Sequence, residues 1–209
     1  MQPGWTRLKR EDAHQVLDRL SGNRDAIVFS REATEVACRD LPFYSTYKLY
    51  RLINYATMPT FSMTYISNGI DFLGIDGTAN PIYAANEKAP ARLNADNVIA
   101  YLDFFFSNVQ GSEGDIFLIK DLEKMPFIST LSANQLASIK GNFRPLAVTA
   151  EKAQGPFRIS GTLYYGGGLL AATIVTQADG RLSFENQQLL LTGIHFPYSP
   201  YSQPWLDGG

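Results

Sequence analysis

Residues 94–110 read NADNVIAYLDFFFSNVQ, and this stretch decides the fold that we predict for the chain. With helical spacing, Asp96 and Asp103 fall on one narrow polar strip, while the apolar side chains spread over roughly 220° of the circumference. Asn94 is a suitable N-cap, because its side-chain oxygen can accept hydrogen bonds from the first turn, and Gly111 favours a stop. A helix this apolar needs cover on more than one side. We therefore expect strands and loops from both halves of the chain to close over it.

The composition bounds the class of protein. The chain has 209 residues, of which 45% are hydrophobic and 18% charged, and this balance excludes disorder and supplies a sizeable core. The single cysteine, Cys38, excludes an internal disulfide and favours a reducing compartment. The N-terminal segment lacks the apolar stretch of a signal peptide, and no apolar run reaches the ~18 residues of a membrane span. We predict a cytoplasmic protein that does not bind membranes.

The distribution of charge argues against a nucleic-acid partner. The 18 basic and 20 acidic residues are mixed along the chain, so that no stripe of Lys and Arg is available to neutralise phosphates. We expect no binding of nucleic acid.

A period of two, typical of strands, runs through residues 44–75. Apolar side chains lie on both faces of the first of these strands, at 47–54, which predicts a position inside a sheet. The dipeptide Asn68-Gly69 between alternating segments predicts a hairpin with a type I′ turn, because both residues accept a positive φ.

Residues 157–191 predict an antiparallel meander. Its turns are expected at Gly166-Gly167-Gly168 and at Asp179-Gly180. Gly161 lies in the middle of the first strand without a side chain to pack, which predicts a bulge or a sharp bend and hence a strongly curved sheet.

Shorter signals complete the pattern. Residues 7–20 predict a helix with one apolar stripe, and residues 26–30 and 115–120 predict short strands. Ser132 and Gln135 form the capping-box pattern that opens a short helix, because each side chain can satisfy a backbone donor of the first turn.

These elements predict an α+β fold: a curved antiparallel sheet, with hairpins and a meander, packed around the buried helix at about 94–110, with two shorter helices covering the rim. Residues 1–195 are expected to form a single domain, followed by a C-terminal strap at 196–209. The alternative is two small sub-domains, built around the strands of 44–75 and of 157–191.

Residues 74–93 show no period and are rich in turn-forming residues. A loop this long in a compact domain is more often functional or self-packed than idle. We therefore predict a ligand site for a small molecule or a protein at 76–92, against the alternative of a loop that only covers the end of the core. The expected binding residues in this segment are Asp76, Tyr83, Asn86 and Arg92.

Motifs for a metal, a cofactor or catalysis are missing. No His-x-x-x-His, Cys-x-x-Cys or His-x-Glu spacing occurs, so we predict no metal and no cofactor. The glycine run at 166–168 lacks the spacing of a phosphate-binding loop and is expected to be a plain turn. Asp71 and Asp76 could form a carboxylate pair, although a turn explains Asp76-Gly77 adequately. We name no catalytic residue.

Three side chains with reactive groups have simpler interpretations. Arg39 could lower the pKa of the Cys38 thiol, but we expect a small core residue. His14 is expected to be solvated on the N-terminal helix. His195 would act as a general base only if a serine, a carboxylate or Cys38 came near it.

The C-terminal strap carries aromatic residues spaced by prolines. Prolines reduce the entropy lost on docking, and aromatic faces with polar tips are enriched at interfaces. The strap is expected to pack on its own chain, on a second copy as a homodimer contact, or on a foreign proline-recognising domain. Its expected contact residues are Tyr198, Tyr201 and Trp205.

The sequence leaves the biochemical function unknown. We favour a soluble, non-catalytic binding or interaction protein over a small-molecule enzyme with a site between the 76–92 loop and the curved sheet. The two differ in one respect: an enzyme needs several titratable groups that converge in one pocket with perturbed pKa values.

Overall fold

Two antiparallel sheets and four α-helices make up the described part of the chain, residues 4–22 and 28–194 of a computed structural model. This confirms the predicted α+β class with antiparallel hairpins. The strands form two open sheets where one had been predicted. The chain divides into two units, residues 1–90 and 91–209. Whether the two units associate as one domain, as predicted, or form two sub-domains is not tested by this division, so one domain stays a prediction.

The first unit contains a five-stranded sheet whose strand order follows the chain. Its central strand is the one for which the sequence predicted an internal position, so that prediction is confirmed. Its elements are β1 (Thr6–Arg7), α1 (Arg10–Leu20), β2 (Thr34–Asp40), β3 (Lys48–Asn54), β4 (Phe61–Ser67), β5 (Phe72–Gly74) and α2 (Asn80–Lys88).

One face of this sheet is covered by α1. The buried stripe of the helix, with Leu17 and Leu20, joins Val36, Leu52 and Tyr65 in one hydrophobic cluster. The helix begins at Arg10, later than predicted, because the two residues of β1 pair with β2 instead. The strand predicted at 26–30 falls partly on residues outside the description, and its described residues, 28–30, contain no strand.

The turn between β4 and β5 differs from the predicted type I′ turn. Four residues, 68–71, separate the paired strands, and Asn68 does not have a positive φ. Its side-chain Oδ1 instead accepts hydrogen bonds from the backbone N–H groups of Ile70 and Asp71, at 2.9 and 2.8 Å. The hairpin is confirmed, but an asparagine side chain closes it.

The segment predicted as an aperiodic loop, 74–93, contains the helix α2. Pro81 lies in its first turn, where the missing N–H costs nothing, and the turn residues before it form the helix entry. Ile82, Ala85 and Asn86 are its buried residues. With nine residues and two buried apolar side chains, α2 is too short to show a convincing period.

The second unit contains the buried helix and the meander. Its elements are α3 (Val98–Asn108), β6 (Ile116–Leu118), two short 3-10 helices (Leu122–Lys124 and Pro126–Thr130), α4 (Ala133–Asn142), β7 (Ala147–Ala150), β8 (Phe157–Tyr165), β9 (Gly168–Thr176) and β10 (Leu182–Leu191). The strand order is β10-β9-β8-β6, and β7 pairs with another part of β8. The predicted meander and the predicted strand near 115–120 are confirmed.

The helix α3 is the buried helix predicted at 94–110, but it begins later. Asn94 caps the turn that precedes it, with Oδ1 accepting from the N–H groups of Asp96 and Asn97. Within the second unit, the Tyr101 hydroxyl donates to the carbonyl of Gly180 at 2.9 Å. The buried side chains of α3 are Val98, Tyr101, Leu102, Phe104, Phe105 and Phe106.

Local signals of the second unit are confirmed in two places. Ser132 and Gln135 form the complete capping box of α4. Gly166 and Gly167, with φ of 54° and 86°, form the two-residue turn between β8 and β9, a plain hairpin as predicted.

Gly161 is not at a bulge. It pairs regularly with Ala172, and a Cβ atom at this position would lie 2.5 Å from Cδ2 of Leu146. The glycine is needed for a close approach of another segment. The irregular strand is β10, where an extra residue is inserted between Glu185 and Gln188 and Asn186 has a φ of 51°.

Replacing Phe105 by Ala tests the importance of α3. Because Phe105 is only 6% exposed, we expect a loss of ~3–5 kcal/mol in the free energy of unfolding. The matched control is Asp103→Ala on the polar strip, whose ion pair with Lys120 is partly exposed and is worth less than about 1 kcal/mol. Equal shifts of the urea midpoint would contradict the central role of the helix.

Replacing Gly161 by Ala tests the close approach. We expect a loss of roughly 1–3 kcal/mol, because the new methyl group must displace Leu146. Gly141→Ala in α4 is the control: nothing lies within 4 Å of its Cβ position, so a gain of up to about 1 kcal/mol is expected from the higher helix propensity of Ala. Thermal unfolding of both variants would show opposite signs; a neutral Gly161→Ala would refute the steric explanation.

Candidate functional site

Asp76 has a structural role at the entry to α2. Its Oδ1 accepts from the backbone N–H and the hydroxyl of Thr78, at 2.9 and 2.7 Å. The Thr78 hydroxyl in turn accepts from the N–H of Asn80. The hydrogen bond from the Thr78 side chain is the main cause that lowers the pKa of Asp76. Asp76 is therefore an ionised carboxylate occupied in holding the turn.

Asn86 is buried on the inner side of α2. Its Oδ1 accepts a hydrogen bond from the Tyr44 hydroxyl. The Tyr44 ring contacts the rings of Phe43 and Tyr47, with centroids 5.1 and 5.7 Å apart. Asn86 thus connects α2 to the segment that leads into β3.

The other two predicted residues occupy different places. Tyr83 is half-buried on α2, one turn before Asn86. Arg92 belongs to the second unit, where its side chain is exposed and its carbonyl accepts from Nδ2 of Asn97 at 2.8 Å. Three of the four predicted residues therefore lie in the first unit, Asp76 before α2 and Tyr83 and Asn86 on it.

A group that the sequence did not reveal lies at the C-terminal turn of α2. Nζ of Lys88 forms an ion pair with Oδ2 of Asp71, at 2.9 Å. The Tyr47 side chain is 2% exposed, and its hydroxyl has no hydrogen-bond partner in the described part of the chain. Burial raises the pKa of Tyr47, Asp71 raises it further, and Lys88 lowers it, so both charges act on the hydroxyl.

We call Tyr44, Tyr47, Asp71, Asn86 and Lys88 the Tyr47 cluster. Three of its members precede α2 in the sequence and two lie on it. No spacing could have joined them, because the helix that brings them together had been predicted as a loop.

Cys38 fits neither interpretation offered by the sequence, a thiol with a lowered pKa or a small core residue. It is half-buried on β2, rather than a core residue. Burial raises the pKa of its thiol, and Asp40 adds to this, while Lys48 opposes it. Arg39 points to the opposite face of the strand, where its guanidinium lies 5.3 Å from the centre of the Trp5 ring. Neither observation is typical of a reactive cysteine.

The remaining candidates do not combine into a reactive centre. Asp71 and Asp76 each have a separate partner and do not act as a carboxylate pair. His14 is half-buried, rather than solvated, and its buried Nε2 has no hydrogen-bond partner among the described residues. His195 lies outside the described residues, as do Tyr198, Tyr201 and Trp205 of the strap.

The described residues, 4–22 and 28–194, contain no group of three or more His, Cys, Asp or Glu side chains that could hold a metal ion. None of their helices has the length and apolar character needed to cross a membrane.

No protein-family model matches this chain, and the comparisons with curated proteins and with solved structures found no match either.

Alkylation of Cys38 tests its environment. Because the pKa of the thiol is raised in the folded chain, less thiolate is present at neutral pH, and the rate of reaction with iodoacetamide should rise at higher pH than in the unfolded chain. The midpoint of the rate against pH, measured in buffer and in urea, separates the pKa from simple access. A folded-state midpoint at or below the unfolded one would contradict the assignment.

Proposed function

We propose that this chain is a soluble, non-catalytic binding protein. Two of its predicted site residues support this, because Asp76 before α2 and Asn86 on α2 hold structural hydrogen bonds. Acid–base catalysis is most effective with groups whose pKa values lie near neutrality. The pKa values of Tyr47 and Cys38 are instead raised above their ordinary values, which keeps both groups protonated. The alternative, a small-molecule enzyme with its site between 76–92 and the sheet, has no comparable support.

A cluster of exposed apolar side chains favours a protein as the partner. It lies where the β3–β4 hairpin turns, and we call it the hairpin tip. Its members and their exposed fractions are Val28 at 50%, Tyr55 at 55%, Met58 at 96% and Phe61 at 43%.

The hairpin tip rests on an ordered base. All seven residues of β3 pair with β4, and the Phe29 and Phe61 rings are stacked with centroids 5.7 Å apart. Nδ2 of Asn54 donates to the carbonyl of Val28, which holds that residue beside the hairpin. Methionine and aromatic side chains gathered on an exposed surface are typical of protein interfaces. This exposed cluster is the observation that carries the proposal of a protein partner.

Charge substitution at the hairpin tip tests it. Met58→Lys introduces a charge where an apolar contact is expected, and should weaken binding of the partner at least about tenfold. Ile70→Lys is the matched control, because Ile70 is 81% exposed on another turn of the same unit.

The partner is first captured by cross-linking the full chain in a lysate, and its affinity for the three purified forms is then measured by calorimetry. Retention of affinity by Met58→Lys, or an equal loss in Ile70→Lys, would refute the hairpin tip as the binding surface.

Three narrower proposals accompany this one. A homodimer contact through Tyr198, Tyr201 and Trp205 is supported by the aromatic and proline pattern of the strap, 196–209. A small-molecule or protein ligand at 76–92 is supported by the Tyr47 cluster beside α2. Location in the cytoplasm is supported by the single cysteine.

A further inference from the structure

We propose that the Tyr47 cluster binds a small carboxylate, which replaces Asp71 on Lys88 and accepts a hydrogen bond from the Tyr47 hydroxyl. This inference rests on the proposed ligand site at 76–92 and names the chemical class of its ligand.

The buried hydroxyl is the first reason. A tyrosine O–H that leaves water normally finds a partner, because an unsatisfied buried polar group is costly. Tyr47 is only 2% exposed, and its hydroxyl has no hydrogen-bond partner in the described part of the chain. An acceptor supplied by a ligand would satisfy it.

The chemistry of the neighbouring groups selects an anionic acceptor. Burial is the main cause that raises the pKa of Tyr47, so the phenol keeps its proton at neutral pH and acts as a donor. Lys88 on α2 is a cation whose charge acts on this hydroxyl, and the hydrogen bond to Asp71 raises the pKa of the ammonium group. One neutral donor and one positive charge fit an oxygen acceptor with a single negative charge.

Asp71 already shows that the Lys88 ammonium group donates to a carboxylate. Its carboxylate comes from the exposed β4–β5 turn, and both partners of the ion pair are more than two-fifths exposed. Exposed ion pairs contribute little, so a carboxylate that also reaches the Tyr47 hydroxyl competes successfully with Asp71.

The walls of the site are fixed before a ligand arrives. The hydrogen bond from Tyr44 to Asn86 holds the Tyr44 ring against the Tyr47 ring, with centroids 5.7 Å apart. Fixed neighbours reduce the entropy lost on binding. Because the Tyr47 hydroxyl is buried, a ligand that reaches it has to be a small molecule.

The experiment is thermal unfolding of the full chain in increasing sodium acetate, with sodium chloride replacing it at constant ionic strength. A ligand that binds the folded state raises the midpoint in a saturable way. We expect this rise with acetate and not with chloride.

Three variants identify the groups involved. Tyr47→Phe removes a hydroxyl that lacks a partner, so it should unfold at the same or a higher temperature without acetate and should lose the rise with acetate. Lys88→Gln should also lose the rise. Asp71→Asn removes the competing carboxylate and should lower the half-saturating acetate concentration by roughly two- to fivefold, the factor that an exposed ion pair is worth.

Thr176→Val is the matched control, because it removes another buried hydroxyl without a described partner, on β9 of the second unit. Its response to acetate should equal that of the unchanged chain. The same response in Tyr47→Phe as in the unchanged chain would overturn the proposal, as would the absence of any saturable response in both the unchanged chain and Asp71→Asn.

Neutral acetamide separates the class of ligand from the existence of the site. A saturable response to acetamide that needs Tyr47, without one to acetate, would overturn the carboxylate assignment and leave a ligand site at α2 standing. Failure with both compounds would remove the support that the Tyr47 cluster gives to that site. The role of the hairpin tip is measured by partner binding, so its test does not depend on the result with acetate or acetamide.

Discussion

The hydrogen bond between the Tyr44 hydroxyl and Asn86 is the constraint on which the candidate site depends. Asn86 is a buried amide on a nine-residue helix, and isolated helices of this length are marginal in water. Its partner lies 42 residues earlier in the chain, in the segment leading into β3. The contact therefore gives α2 a position that its own propensity could not maintain. Lys88 lies on the same helix, half a turn after Asn86, so the contact that positions α2 also helps to position Lys88 beside Asp71.

The second unit depends on a comparable buried residue, Thr162. Its Oγ accepts from the N–H of Arg144 at 2.9 Å, and its own N–H donates to the Arg144 carbonyl at 3.0 Å. Its carbonyl accepts from the N–H of Ile119, also at 3.0 Å. Two segments thus meet on one edge of β8 without leaving these polar groups unsatisfied. Gly161 beside it gives Leu146 the space to pass.

The parts of the fold that could be predicted are those determined by residues close together in the sequence. The Gly166-Gly167 turn needs two positive φ angles, and the Ser132–Gln135 capping box needs two side chains at fixed spacing. The buried character of α3 follows from its own composition. In each case the physical cause lies within a few residues of its effect, so a single stretch contains the whole signal.

The parts that could not be predicted depend on partners distant in sequence. In the sequence, a glycine within a strand is compatible with a bulge or with the close approach of another segment. Only the position of Leu146 shows that Gly161 is the second case. The start of α1 depends on the pairing of β1 with β2. In that pairing Thr6 lies opposite Cys38, about thirty residues later in the chain. Asp76 and Asn86 were predicted to bind a ligand, and only their hydrogen bonds to Thr78 and Tyr44 reveal that they have structural roles.

The environment of the Tyr47 cluster, also built from distant partners, is the support for our proposal of binding rather than acid–base catalysis at α2. A general acid or base transfers a proton during the reaction and is most effective when its pKa lies near the operating pH. Around Tyr47, burial has the opposite effect, because it stabilises the neutral phenol. Asp71 raises the pKa further, and its effect is larger than the lowering by Lys88. A neutral donor and a cation that keep their protons suit the recognition of an anion, which is the class of ligand that we propose for the Tyr47 cluster.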